Sequence, residues 1–105
     1  MRNDIKKKFS DLCADRLITY NVKDCTRHTE FSVKSGYVTT KAVIKYGMIF
    51  DGVYYQIYYI NKVNKEVLVY ERKIEYDKFN LSEVPKMFDR FYIAAVDATK
   101  ISKIQ

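Results

Sequence analysis

The spacing of apolar positions along this chain changes from helical to alternating and back again. Ile5, Phe9, Leu12, Cys13, Leu17 and Tyr20 fall at i, i+4, i+7, i+8, i+12 and i+15, while Lys6, Lys7, Asp11, Asp15 and Arg16 fall on or near the opposite side. Such spacing lays one apolar stripe along a helix. The pattern therefore predicts an N-terminal helix from about Ile5, with Asn3 or Asp4 as the side-chain acceptor for its first amides. Asn21 to Thr29 has no consistent period and reads as a connection.

From Glu30 the pattern alternates. Phe31 and Val33 interleave with Ser32 and Lys34, and Ser35-Gly36 supplies a turn. Tyr37 to Phe50 then carries Val38, Ala42, Ile44, Tyr46, Met48 and Phe50 on one side, with Gly47 marking a bulge or a close approach. Asp51-Gly52 between apolar runs favours a two-residue hairpin, because both turn positions need positive φ. That turn would set Phe50 opposite Val53, Met48 opposite Tyr55, Tyr46 opposite Ile57 and Ile44 opposite Tyr59.

The run Val53 to Ile60, VYYQIYYI, is the strongest strand signal. Its two faces differ once the turn is in place. Tyr55, Ile57 and Tyr59 join Ile44, Tyr46 and Met48 in the core, which leaves Tyr54, Gln56 and Tyr58 beside Lys45 on the other face. After a turn within Asn61 to Lys65, Glu66 to Tyr76 alternates again, and its more apolar set, Leu68, Tyr70 and Ile74, faces inward. A slip of one residue would exchange its faces.

Ser82 is placed as the N-cap of a last helix, with Glu83 favourable to the helix dipole and Pro85 tolerated in the first turn. Val84, Met87, Phe88, Phe91, Ala95 and Ala98 form its core stripe. Tyr92, Ile93 and Val96 widen that stripe into a candidate subunit interface. Ending the helix near Arg90 would make Phe91 to Val96 an edge strand, but Ala94-Ala95 favours helix. The elements sum to one two-layer α+β domain over residues 1-105. It is a three- or four-stranded antiparallel meander sheet with the N-terminal and C-terminal helices packed on one face.

Composition narrows the function classes. The chain has 105 residues, 48% of them hydrophobic, enough to form a core and to argue against intrinsic disorder. A net charge of +6 attracts polyanions, yet 13 acidic residues interleave with 19 basic ones, and the densest basic run is Lys6-Lys7-Lys8. No secretory signal and no run of about 20 apolar residues is present, so the expected location is the cytoplasm. Cys13 and Cys25 are expected to stay thiols there. Lys, Ile, Tyr and Asn fill 39 of 105 positions, a usage that suits an A+T-rich genome of a bacterium, virus or mobile element.

Candidate chemistry is sparse. Cys13, Cys25 and His28 have irregular spacing for zinc, and Cys13 lies on a core stripe, so no metal ligand or cofactor is assigned. Cys25 near His28 is a weak nucleophile-base pair, and no catalytic residue is assigned. A metal-independent endoribonuclease of toxin type would rest on His28, Glu30, Arg27 and Tyr37. Direct nucleic-acid binding would use Tyr54 and Tyr58 for stacking, with Gln56, Lys45, Lys41 and Arg72 around them. The helix-strands-helix order resembles a double-stranded-RNA-binding domain in outline, but the last helix, EVPKMFDRFYIAAVDATK, lacks that family's concentrated basic charge.

In size and composition the chain is similar to small accessory proteins of phages and mobile elements that block a host enzyme. The first expectation is therefore a non-enzymatic inhibitor or adaptor of phage type. It would bind a host protein, such as a nucleic-acid-processing or defence target, through the face carrying Tyr54, Gln56, Tyr58, Lys41, Lys45 and Arg72. It would work in the host cytoplasm, as a homodimer and away from membranes. Nucleic-acid binding is the alternative and ribonuclease activity the second alternative.

Overall fold

A computed structural model describes residues 2–17, 19–46 and 52–104, the last three by backbone alone. Helix α1 (Arg2–Arg16) leads into strands β1 (Asn21–Asp24), β2 (His28–Ser35), β3 (Val38–Lys45), β4 (Gly52–Ile60) and β5 (Glu66–Glu75), and helix α2 (Glu83–Ile104) closes the described chain. The architecture is the expected α+β meander with terminal helices, but the antiparallel sheet has five strands in the order β1-β2-β3-β4-β5.

The additional strand lies in the segment that reads as a connection. β1 pairs Val22 with Phe31 and Asp24 with Thr29, and all four of its residues are exposed. Burial leaves no period in such a strand; ladder hydrogen bonds hold it at the sheet edge. The opening helix begins at Arg2, so Asn3 and Asp4 lie inside it instead of capping it. The last helix runs through Phe91 to Val96, which excludes the edge-strand alternative. Ser82 precedes it, but the donor three residues on would be Pro85, which has no N–H. The amides of Glu83 and Val84 bond instead to the carbonyls of Asn80 and Leu81 at 3.0 and 3.2 Å, and the Ser82 hydroxyl bonds the Asn80 side chain.

Both helices cover the same side of the sheet. Ile5, Phe9 and Cys13 from α1 and Val84, Met87, Phe88 and Phe91 from α2 close over Phe31, Ala42, Ile44, Val53, Tyr55 and Ile57. Phe9 stands at the centre, with ring centroids of Phe31, Phe88, Phe91 and Tyr55 at 4.5, 5.6, 5.7 and 6.2 Å. Phenol hydroxyls tie the sheet to α2: Tyr55 donates to the Met87 carbonyl at 2.7 Å and Tyr59 to the Ala94 carbonyl at 2.8 Å. These bonds let two tyrosines point inward without an unsatisfied polar atom.

The β3–β4 register differs from the one a two-residue turn would impose. Ile44 pairs with Tyr55 and Lys45 with Tyr54, so Ile44 is displaced by four residues from the expected Tyr59. Asp51 lies outside the described residues, as do Gly47, Met48, Ile49 and Phe50. Because the displacement is even, each side chain keeps its expected face. Ile44, Tyr46, Tyr55 and Ile57 are all buried beneath the helices. Gly52 approaches β5 so closely that a Cβ there would sit 2.1 Å from the Ile74 carbonyl oxygen.

The β4–β5 loop closes over Asn61 to Lys65. The Asn61 side-chain oxygen accepts the amides of Val63 and Lys65, both at 3.0 Å, and Asn64 takes φ 62°. Asparagine tolerates that left-handed position better than most residues. The ladder pairs Ile60 with Glu66, Tyr59 with Val67 and Tyr58 with Leu68, then shifts, so that Ile57 pairs with Tyr70. Val69 is the extra residue of this bulge. Tyr70 and Ile74 face the helices as expected, but Leu68 does not: it shares the open face with Tyr58 and is 44% exposed.

Candidate functional site

The face away from the helices is built by alternation from the same strands that build the core. Cross-strand pairing lines up Lys23, Glu30, Val43, Gln56 and Glu71 in one row and Ser32, Lys41, Tyr58 and Leu68 in the next. A third row runs His28, Lys45, Tyr54 and Lys73. Tyr54, Gln56, Tyr58, Lys41 and Lys45 thus share one surface. Arg72 does not belong to it. It is opposite Tyr55, on the helix side between Tyr70 and Ile74, and its guanidinium lies 3.3 Å from the Glu83 carboxylate.

Charge on this open face is nearly balanced. Glu30, Glu66, Glu71 and Glu75 share it with Lys23, Lys34, Lys41, Lys45 and Lys73. Lys41 sits 2.6 Å from Glu66 and 3.3 Å from Glu30, and Gln56 donates to Glu71 at 3.3 Å. The lysine ammoniums also lie over the tyrosines, Lys41 at 5.4 Å from the Tyr58 ring and Lys73 at 5.9 Å from the Tyr54 ring. Cation-π contact occupies the ring faces that a base would stack on. The net +6 of the chain is therefore not concentrated here.

At the β1–β2 end of this face, Cys25, His28 and Glu30 converge, with one ligand-type atom of each within 4.8 Å of the others. His28 Nε2 is 3.5 Å and Cys25 Sγ 3.9 Å from Glu30 Oε2, while the other carboxylate oxygen faces Lys41. Burial alone would raise the Glu30 pKa, but Lys41 and then His28 outweigh it and hold the carboxyl below its ordinary value. Cys13 is remote from this group in the core, where burial pushes its thiol up to about 12. The ribonuclease set does not assemble. Tyr37 follows the end of the eight-residue β2 opposite to His28, roughly 23 Å away at ~3.3 Å per residue.

The far edge of the sheet has a different character. Val67, Leu68 and Val69 are 50, 44 and 43% exposed on β5, which pairs only with β4 among the described residues. Beside them, a cleft of about 200 Å³ runs between β5 and α2, lined by Ile57, Tyr59, Val69, Tyr70, Arg90, Ile93, Ala94 and Asp97. Ile93 is itself 55% exposed. The sequence signal for this patch is the unbroken Val-Leu-Val run: Leu68 falls on the open face opposite Tyr58, while Val67 lies opposite Tyr59 and Val69 lines the cleft beside α2. No helix among the described residues is long and apolar enough to cross a membrane. Comparison with protein-family models, with curated proteins and with solved structures returned no match.

Proposed function

We propose that this chain is a non-enzymatic protein-binding module, an inhibitor or adaptor of the phage or mobile-element type, that docks its target along the β5 edge. The observation that carries the reading is the exposed Val67-Leu68-Val69 run on an edge strand, next to the cleft under Ile93. An unpaired strand edge offers backbone donors and acceptors to an extended segment of a partner, and flanking pockets select its side chains. Arg90 and Asp97 at the cleft supply polar contacts at its rim. The open-face residues Tyr54, Gln56, Tyr58, Lys41 and Lys45 extend the same surface across β4 and β3, reached from β5 through the Tyr58-Leu68 pair.

The test is affinity capture from the native host with the wild-type chain and a Val67→Lys/Val69→Lys variant. The reading expects one stoichiometric protein partner that the variant fails to retain. Recovery of none, or equal recovery by both, would contradict it.

Direct nucleic-acid binding is the second reading, and the row Lys45-Tyr54-Lys73 favours it, because a ring between two lysines matches a base between two phosphates. Near-balanced charge on that face ranks it below protein binding. A salt series separates them, since electrostatic nucleic-acid affinity falls steeply as salt rises. A homodimer is proposed through the side of α2 that carries Tyr92 and Val96, the latter 40% exposed, apart from the cleft lined by Ile93. Light scattering over a concentration series tests it; a monomer at every concentration would refute it.

A further inference from the structure

The convergence of Cys25, His28 and Glu30 has a geometry that simple ion pairing does not require. In a tetrahedral zinc site, bonds of ~2.3 Å to sulfur and ~2.0–2.1 Å to nitrogen or oxygen set donor-to-donor edges of about 3.3–3.6 Å. His28 Nε2 to Glu30 Oε2 is 3.5 Å, Cys25 Sγ to Glu30 Oε2 is 3.9 Å, and the whole set lies within 4.8 Å. The carboxylate divides its oxygens: Oε1 is 3.3 Å from Lys41, and Oε2 is aimed at the sulfur and the imidazole.

The backbone that carries these groups is held in place. The Cys25 amide donates to the His28 carbonyl at 2.9 Å. Arg2, from the start of α1, reaches across to the carbonyls of Cys25, Thr26 and His28 and to the Asp24 carboxylate. Glu30 is fixed within the β2 ladder opposite Val43. The site is thus prepared before any ligand arrives, with Lys41 orienting the carboxylate from outside, a second layer of the kind that metal sites use.

Two other uses of the cluster fit less well. A nucleophilic triad needs the histidine between the thiol and the acid, whereas here the acid lies beside both the other groups. A disulfide would need Cys13, which is buried in the core.

We propose that Cys25, His28 and Glu30 form a site for a divalent transition metal, zinc foremost, with a fourth position open to water. One thiolate and one carboxylate balance the charge of the ion. The mixed sulfur, nitrogen and oxygen donors favour zinc or cobalt over magnesium or calcium. The site lies at the β1–β2 end of the sheet, away from the β5 edge, and does not depend on what that edge binds.

Titration of the full chain with cobalt(II) alone tests the assignment. The expected result is thiolate-to-cobalt charge-transfer absorption with the intense visible bands of tetrahedral cobalt, saturating at one equivalent and displaced by zinc. Cys25→Ser should remove the charge-transfer band, Cys13→Ala should keep it, and Glu30→Gln should weaken binding by at least ~10-fold, with circular dichroism checking that each variant is folded. A second readout needs no variant: saturating zinc should slow alkylation of Cys25 in the native chain. Absence of the band, its survival in folded Cys25→Ser, or an alkylation rate indifferent to zinc would overturn the site.

Discussion

Leu68 lies directly opposite Tyr58 on the open face of the sheet, although Tyr70, two residues on, lies opposite Ile57 beneath the helices. The bulge at Val69 makes both placements compatible. It interrupts the alternation of β5 and leaves three consecutive apolar side chains at a strand edge. Bulges re-aim side chains and are frequent beside functional sites. Deleting Val69 makes Leu68 and Tyr70 neighbours on opposite faces of a regular strand, so both should keep their faces, and tyrosine fluorescence and the rate of tyrosine nitration should stay as in the wild type.

Phe9 is the keystone of the aromatic core, within 6.2 Å of the ring centroids of Phe31, Phe88, Phe91 and Tyr55. Phe9→Ala is expected to destabilise the fold by about 3–5 kcal/mol, the range for deleting a buried phenyl ring. Equilibrium urea unfolding reads this directly. Tyr55→Phe, which removes only the hydroxyl bonded to the Met87 carbonyl, should cost about 1 kcal/mol.

Gly52 is required by space. A Cβ would sit 2.1 Å from the Ile74 carbonyl oxygen, which belongs to a paired strand backbone and has no room to move aside. Gly52→Ala should therefore lower stability by at least ~1–3 kcal/mol. Gly36→Ala acts differently, because Gly36 takes φ 63° at the β2–β3 turn and the loss reflects backbone strain. Parallel thermal melts of the two variants give the comparison.

Much of this architecture was legible in the sequence. The stripe from Ile5 to Cys13, the stripe from Val84 to Ala98 and the inward set of Ile44, Tyr46, Tyr55 and Ile57 are core residues because burial imposes a period. The expected place of Arg72 beside Tyr54 and Tyr58 was wrong, although its spacing of two residues from both Tyr70 and Ile74 already put it on their face. What burial does not decide left no trace. β1 is exposed throughout, the β3–β4 pairing is displaced by an even number of residues that alternation cannot detect, and the bulge at Val69 falls in a uniformly apolar run. Cys25, His28 and Glu30 stand close in the sequence, but their meeting on one face depends on the Cys25 to His28 hairpin turn and on the bridge from Arg2, a contact between segments that no local pattern encodes.

Asp24 predicts the acid response. Arg2 first, then Lys6 and Thr29, hold its carboxyl well below the ordinary carboxylate range. The folded state thus binds the proton less readily than the unfolded chain. The stabilisation is present above the unfolded pKa of about 3.9 and is lost as pH falls below it. Wild type should lose more stability than Asp24→Asn between about pH 5 and about pH 3, read as urea midpoints. Equal losses would show that the Arg2 bridge does not couple to folding.

Docking along β5 is read by amide hydrogen exchange on the chain alone and in complex with its captured partner. Protection on binding should be concentrated in the β5 amides around Val67, Leu68 and Val69 and in the α2 segment around Ile93. Protection confined to β1 and β2, with β5 exchanging as fast in the complex as in the free chain, would contradict it.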